Sequence, residues 1–213
     1  EFATDDDRAD VEVVIGNHSD LQRFAEQYGV PFHDIGDDGG NPDEEALLNL
    51  LDRYDIDLVT LARYIQILSP EVVFRYPGRI INVHPSLLPA FPGAAAYSQA
   101  LNEGVRITGV TAHYVTPDLD QGPIITQRAF NIPNGASEEV VRDKGQPLEA
   151  DALVDALHLH LDGKLTVDAE TAEARDTDNR QLGLPDKIDW LNPNHPTDKS
   201  TSRVRQPVHL TKR

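Results

Sequence analysis

Neither cysteine nor methionine occurs anywhere in the 213 residues. The first absence excludes disulfides, thiolate metal sites and a cysteine nucleophile, and it is silent about compartment. The second bears on processing. A translated chain starts with Met, normally removed only before a small residue, yet this one opens Glu1-Phe2. We therefore expect either a piece of a longer protein or a cloning scar at Glu1-Phe2. Also missing is any run of about 18 apolar residues, and with it a membrane-spanning helix or a secretory core. The expected location is the cytoplasm, with no membrane partner. Lysine is scarce: 5 Lys and 14 Arg stand against 24 Asp and 12 Glu, for a net charge of −17. So acidic a surface argues against nucleic acid as a partner. Plain solubility accounts for it, and so does adaptation to high salt, where concentrated cations screen carboxylate repulsion within a few Å.

The length suits one domain with a real core plus a tail. Glu12 to Ile15 reads as a strand, followed by a helix from an N-cap at Ser19, with Gln22 completing a capping box and Gly29 just past the end. Pro31 to Ile35 reads as a second strand. Asn41, with Pro42 behind it, should cap a helix whose Ala46, Leu47, Leu50, Leu51 and Tyr54 share one face. Asp57 to Ala62 suits a buried parallel strand, and Ser69-Pro70-Glu71 starts a short helix. This alternation predicts an α/β fold, a Rossmann-like open and mostly parallel sheet. After a helix over Ala94 to Glu103, closed by Gly104, the pattern changes. Gly109 to Thr116 and Pro123 to Ile132 read as a hairpin, and Gln146-Pro147 opens a helix to about Leu161. We expect residues 1–165 to form one domain, partial at its N-terminus, and 166–213 a polar tail. Trp190 stands alone in that tail, and its end, Lys199 to Arg213, carries five cations and no acid.

The stretch "RIINVHPSLLPAFPG" (residues 79–93) holds the chemistry. A strand puts residues i and i+2 on one side, so Asn82 and His84 aim together where Pro85 ends the strand. Ligands of open α/β sheets bind at such carboxyl ends. The prolines that follow give a rigid loop over that end. Downstream, "DLDQGP" brings Asp118 and Asp120 into a tight loop, where a carboxylate could reach the imidazole. Asp in a loop ordinarily forms a turn, so the residues alone leave both roles open for Asp120. His158 and His160 are i and i+2 on a helix, about 200° apart, and cannot share an ion; His18 and His33 lack an acidic partner at ligand spacing. No metal is expected.

"INVHPSLLPAFPG" followed by "GVTAHYVTPDLDQGPII" resembles the folate-dependent formyltransferase catalytic domain, including the spacing from His84 to Asp120. The resemblance runs from about Val11 to Leu165. Within the family, "VIGNHSDLQRFAEQYGVPFHDI" and "LARYIQILSPEVV" look most like the formyltetrahydrofolate deformylases. The resemblance implies hydrolysis of 10-formyltetrahydrofolate to tetrahydrofolate and formate, supplying purine biosynthesis and balancing one-carbon pools. Folate and water would be the only small molecules used, and a homo-oligomer is left open. It implies Asn82, His84 and Asp120 as catalytic residues: two donors for a developing oxyanion and a carboxylate that orients the ring. It further implies a folate site from Tyr64, Ile65, Gln66, Leu68, Thr111, His113, Leu119, Gln121 and Gly122. A core histidine is the alternative for His113.

Two departures stand out. The family commonly has Met-Arg where this chain has Ile65-Gln66. Pro85 is more usual in the glycinamide ribonucleotide formyltransferases than in the deformylases. The family also carries a strand that would lie between those at Glu12 and Leu58. Without it, backbone groups in the sheet centre go unpaired, and we expect a sheet interrupted there. The alternatives are therefore a phosphoribosylglycinamide formyltransferase, with Glu149 as the amine-binding acid, and a non-catalytic folate-binding fragment. The charge balance makes its own prediction: melting temperature rises from dilute buffer to molar KCl, and equal values in the two would reject salt adaptation.

Overall fold

The computed structural model describes residues 8–168 and 173–176. Among these residues there are fourteen elements, and through the strand Ile80–His84 they alternate as expected. Strand β1 (Val14–Gly16) leads through a 3-10 turn at Ser19–Leu21 into α1 (Gln22–Gln27) and parallel strand β2 (Phe32–Asp34). Helix α2 (Glu44–Arg53) leads to β3 (Val59–Leu61), and α3 (Pro70–Arg75) to β4 (Ile80–His84), parallel to β3. Helix α4 (Ala96–Asn102) precedes the hairpin of β5 (Ile107–Tyr114) and β6 (Ile124–Asn131). Strand β5 lies antiparallel to both β4 and β6, so the larger sheet runs β3-β4-β5-β6. Helix α5 (Glu138–Leu161) follows, then the hairpin of β7 (Leu165–Asp168) and β8 (Glu173–Asp176). That last pair begins at the expected domain edge and runs into the stretch read as tail. Trp190 and the basic end lie outside the described residues.

Three predicted boundaries move for identifiable reasons. His18, not Ser19, precedes the first turn, and no side chain caps it. The second helix starts two residues late because Asp43 takes the cap, accepting from the Ala46 N–H, while Asn41 is spent on the Asp37 loop. Helix α5 starts eight residues early. Ser137 caps it, Glu138 and Glu139 complement its positive end, and Pro147 sits inside rather than at the start. Gly145 lets this helix lie against α4, since a Cβ there would collide with the Tyr97 hydroxyl.

Two layers of core sandwich the sheet. On one face Ile81, Val83, Val110, Ala112 and Tyr114 pack with Ala152, Leu153 and Ala156 of α5. On the other, Ile80 packs with Leu47 and Leu51 of α2 and Val72 and Val73 of α3. Each fully buried aliphatic side chain contributes about 1.5–3 kcal/mol. The alternation that assigns Ile81 and Val83 to α5 leaves Asn82 and His84 on the opposite face, beyond Ile80.

The sheet is interrupted where an extra strand was expected. Among the described residues β1 pairs with β2 alone and β3 with β4 alone. Val13 to Asn17 and Leu58 to Ala62 face one another across an apolar cavity of about 460 Å³, which Leu47, Leu51, Val72, Leu157 and Leu161 also line. The consequence shows in burial: β4 is nearly all buried, whereas β1 and β3 are only partly so. The Val14 N–H donates to Pro31, the Gly16 carbonyl accepts from Ile35, and the Val59 N–H donates to Arg79. Backbone groups alternate sides along a strand, so those of Ile15 and Thr60 point into the gap. Their amides should exchange with solvent far faster than those of Val83 and Ala112. Equal protection at all four would contradict the open edges.

Candidate active site

Antiparallel pairing sets Asn82 opposite His113 and His84 opposite Thr111. All four therefore share the face turned away from α5. Asn82, His84 and His113 line a cavity of about 560 Å³. His84 is 5 % exposed and His113 2 %, so both rings are walls rather than rim. Asp120 arrives from the loop after β5 with φ +53, a left-handed conformation for a residue with a Cβ. Its Oδ2 lies 3.4 Å from His84 Nδ1 and its Oδ1 3.9 Å from His113 Nε2. The expected convergence of amide, imidazole and distant carboxylate is thus present in space.

The proline loop was expected over this strand end, but its backbone contacts with the group were not foreseen. The Gly93 N–H donates to Asp120 Oδ2 at 2.7 Å, and His84 Nε2 lies 2.9 Å from the Phe91 carbonyl oxygen. Both ring nitrogens of His84 thus face acceptors, and a neutral ring can donate at only one of them. Phe91, Ala95 and Arg63 also have positive φ, at +55, +57 and +55. Such strain costs about 1–3 kcal/mol per residue and clusters at functional sites.

The remaining expected residues divide. Tyr64, Ile65, Gln66, Leu68 and Leu119 line the cavity. Ile65 is 88 % exposed, so it supplies the lip of an apolar slot rather than its floor. The Tyr64 hydroxyl is buried without a partner, and burial, aided by Glu44, pushes it up to about 12. Three residues expected at the folate site do not reach the cavity wall. Thr111 Oγ1 donates to the Ser86 carbonyl and accepts from the Leu88 N–H and Gln127 Nε2, so it fastens the proline loop instead. The Gln121 N–H closes the Asp118 turn. Gly122 permits close approach, since a Cβ would collide with the Tyr114 carbonyl.

The far wall was largely unforeseen. It consists of Tyr97 from α4 with Glu138, Arg142, Gln146 and Glu149 from α5. The Tyr97 hydroxyl donates to Glu149 at 2.6 Å; burial first, then that carboxylate, raises its pKa. Glu138 takes Ser98 and Arg142 as partners, which holds its carboxyl below the usual range. Only Glu149 had been singled out. Glu138 and Arg142 went unseen because the first two turns of α5 read as loop, whereas Tyr97 and Gln146 lay in predicted helices whose packing across the cavity the pattern does not encode. Among the described residues no cluster of three His, Asp or Glu is arranged to hold a metal ion.

The formyl transferase family matches residues 2–157. Similar curated proteins include the formyltetrahydrofolate deformylases of Bacillus subtilis, 40 % identical over 78 % of this chain and 56 % of that protein, and of Synechocystis, 43 % identical over 75 % and 57 %. The chain thus spans little more than half the length of these relatives. Among solved structures, a deformylase from Pseudomonas syringae superposes with TM-score 0.74 at 34 % identity, over 79 % of this chain and 56 % of that one. A phosphoribosylglycinamide formyltransferase from Anaplasma phagocytophilum superposes with TM-score 0.77 at 31 % identity, over 85 % and 87 %.

Burial holds the His113 and His160 pKa values below the usual 6.5. The folded state then binds fewer protons than the unfolded chain. The stability linked to these rings is complete above about 6.5 and is lost as pH falls through the lower folded values. Melting temperature between pH 8 and 5 should fall less steeply in His160→Gln than in the parent chain; parallel curves would refute the linkage.

Proposed function

The chain belongs to the formyl transferase family, and from that premise we propose that it hydrolyses 10-formyltetrahydrofolate to tetrahydrofolate and formate. The observation that carries the reading is the meeting of Asn82, His84 and Asp120 on one cavity. At about 560 Å³ it lies in the usual range for small-molecule sites. Ile65, Leu68 and Leu119 offer the pterin an apolar slot.

In this reading water adds to the formyl carbon. The oxyanion that forms takes an N–H from the Asn82 carboxamide. The water's proton passes to the His84–Asp120 pair. The bond from carbon to N10 then breaks, N10 takes the proton, and formate leaves. For His84 also to donate to the oxyanion, its Nε2–H must leave the Phe91 carbonyl, which makes release of that loop contact part of turnover. No step needs a covalent enzyme intermediate. We place the formate produced in purine biosynthesis, in the cytoplasm of a salt-adapted cell. The acidic composition and the similarity to deformylases support this.

Glu149 favours a second reading, because a carboxylate across the cavity suits a substrate amine, as in a phosphoribosylglycinamide formyltransferase. Incubation with 10-formyltetrahydrofolate in molar KCl, with and without glycinamide ribonucleotide, separates the two. Formate without the amine is expected. Transfer only in its presence would select the second reading, and neither product would leave a folate-binding fragment. His84→Ala should lower kcat/KM by about 10²- to 10⁴-fold and Asn82→Ala by about 10²- to 10³-fold. Parent-like rates in both variants would remove these residues from the mechanism.

A further inference from the structure

The buried ring of His113 carries information that the roles above do not use. Its Nδ1 lies 2.9 Å from the carbonyl oxygen of Tyr114, a group that can only accept. Nδ1 must therefore carry the proton, and in the neutral ring Nε2 is left with a lone pair. Asn82 Nδ2 sits 3.3 Å from that nitrogen. A carboxamide oxygen turned there would meet lone pair with lone pair, so the amide has to present its NH2 group. We propose that His113 is a positioning residue: the tautomer fixed by the Tyr114 carbonyl dictates which end of the Asn82 carboxamide faces the reacting carbon.

The inference rests on the proposed hydrolysis only for its kinetic consequences. With one N–H of Asn82 held by His113, the amide plane is fixed and the second N–H is free for the cavity. The groups facing the His113 ring are Asn82 and His84 from β4, the Tyr114 carbonyl from β5, and Asp120 from the following loop. A proton on Nε2 would turn the contact with Asn82 into donor against donor. The amide would then rotate by half a turn, presenting its oxygen to the ring and moving the free N–H off the oxyanion position. The same proton would give Asp120, 3.9 Å away, a cationic partner competing with His84. Protonation of His113 thus undoes both the amide orientation and the His84–Asp120 pairing. Burial of the ring, which disfavours that proton, keeps the working arrangement through mildly acidic conditions.

Nitrogen NMR of the full chain labelled in histidine decides the tautomer without any turnover. A protonated Nδ1 and a bare Nε2 are expected for His113 at pH 7.5; the opposite tautomer would overturn the proposal even if the enzyme hydrolyses its substrate. Kinetics give the second arm. His113→Phe, which keeps a planar ring but no acceptor, should lower kcat by about 10²-fold with KM little changed. His113→Gln, whose side-chain oxygen can accept from Asn82, should recover most of that loss. Because His113 acts through Asn82, adding His113→Phe to Asn82→Ala should cost little further rate. Full additivity of the two losses would also overturn the proposal. Should His113→Phe fail to fold, the NMR result and the Gln variant still decide.

Discussion

The ladder between β4 and β5 fixes the site and the core in one stroke. Asn82 stands opposite His113 and His84 opposite Thr111 only in the observed register. In that register Val83, Val110 and Ala112 turn toward α5 and are buried there. A slip of one residue would exchange the two faces, exposing aliphatic groups and pressing amide and imidazoles into the helix. Burying those aliphatic residues therefore also selects which polar side chains share the cavity face. Asp120 is added from outside the ladder, by a loop whose end is anchored where Gly122 meets the Tyr114 carbonyl.

The strand pattern made half of this arrangement legible. Alternation alone put Asn82 and His84 on one side, and the proline run marked the loop above them. The position of His113 opposite Asn82 depends on register, which a single strand does not encode. Backbone partners such as the Phe91 carbonyl and the Gly93 N–H leave no side-chain signature at all. The far wall is different, because a signal was present. Ser137 followed by Glu138 and Glu139 is a helix start, and it was overridden by reading Pro147 as the first turn. The hairpin of β7 and β8 is built from strands of 4 residues each, too short for their pattern to stand out from coil.

The proline loop does more than cover the cavity. Thr111, buried in the ladder, ties it down through Ser86 and Leu88, while its far end supplies partners to His84 and Asp120. Left-handed residues at Phe91, Ala95 and Asp120 store strain around these contacts. In the proposed reaction, His84 exchanges the Phe91 carbonyl for an acceptor on the substrate, so the net energy of opening is the difference between two hydrogen bonds plus any strain released. Such a balance lets a buried ring remain satisfied when the cavity is empty of substrate and still become available.

The gap between β1 and β3 also has a colloidal consequence. Free strand edges are templates on which a second molecule can add its own backbone, the usual beginning of aggregation. At a net charge of −17 two copies repel before their edges meet. Screening that relieves crowding of carboxylates within one molecule also lowers the barrier between molecules. Added salt therefore acts at these edges as well as on the carboxylates, because it weakens the repulsion that keeps two copies apart.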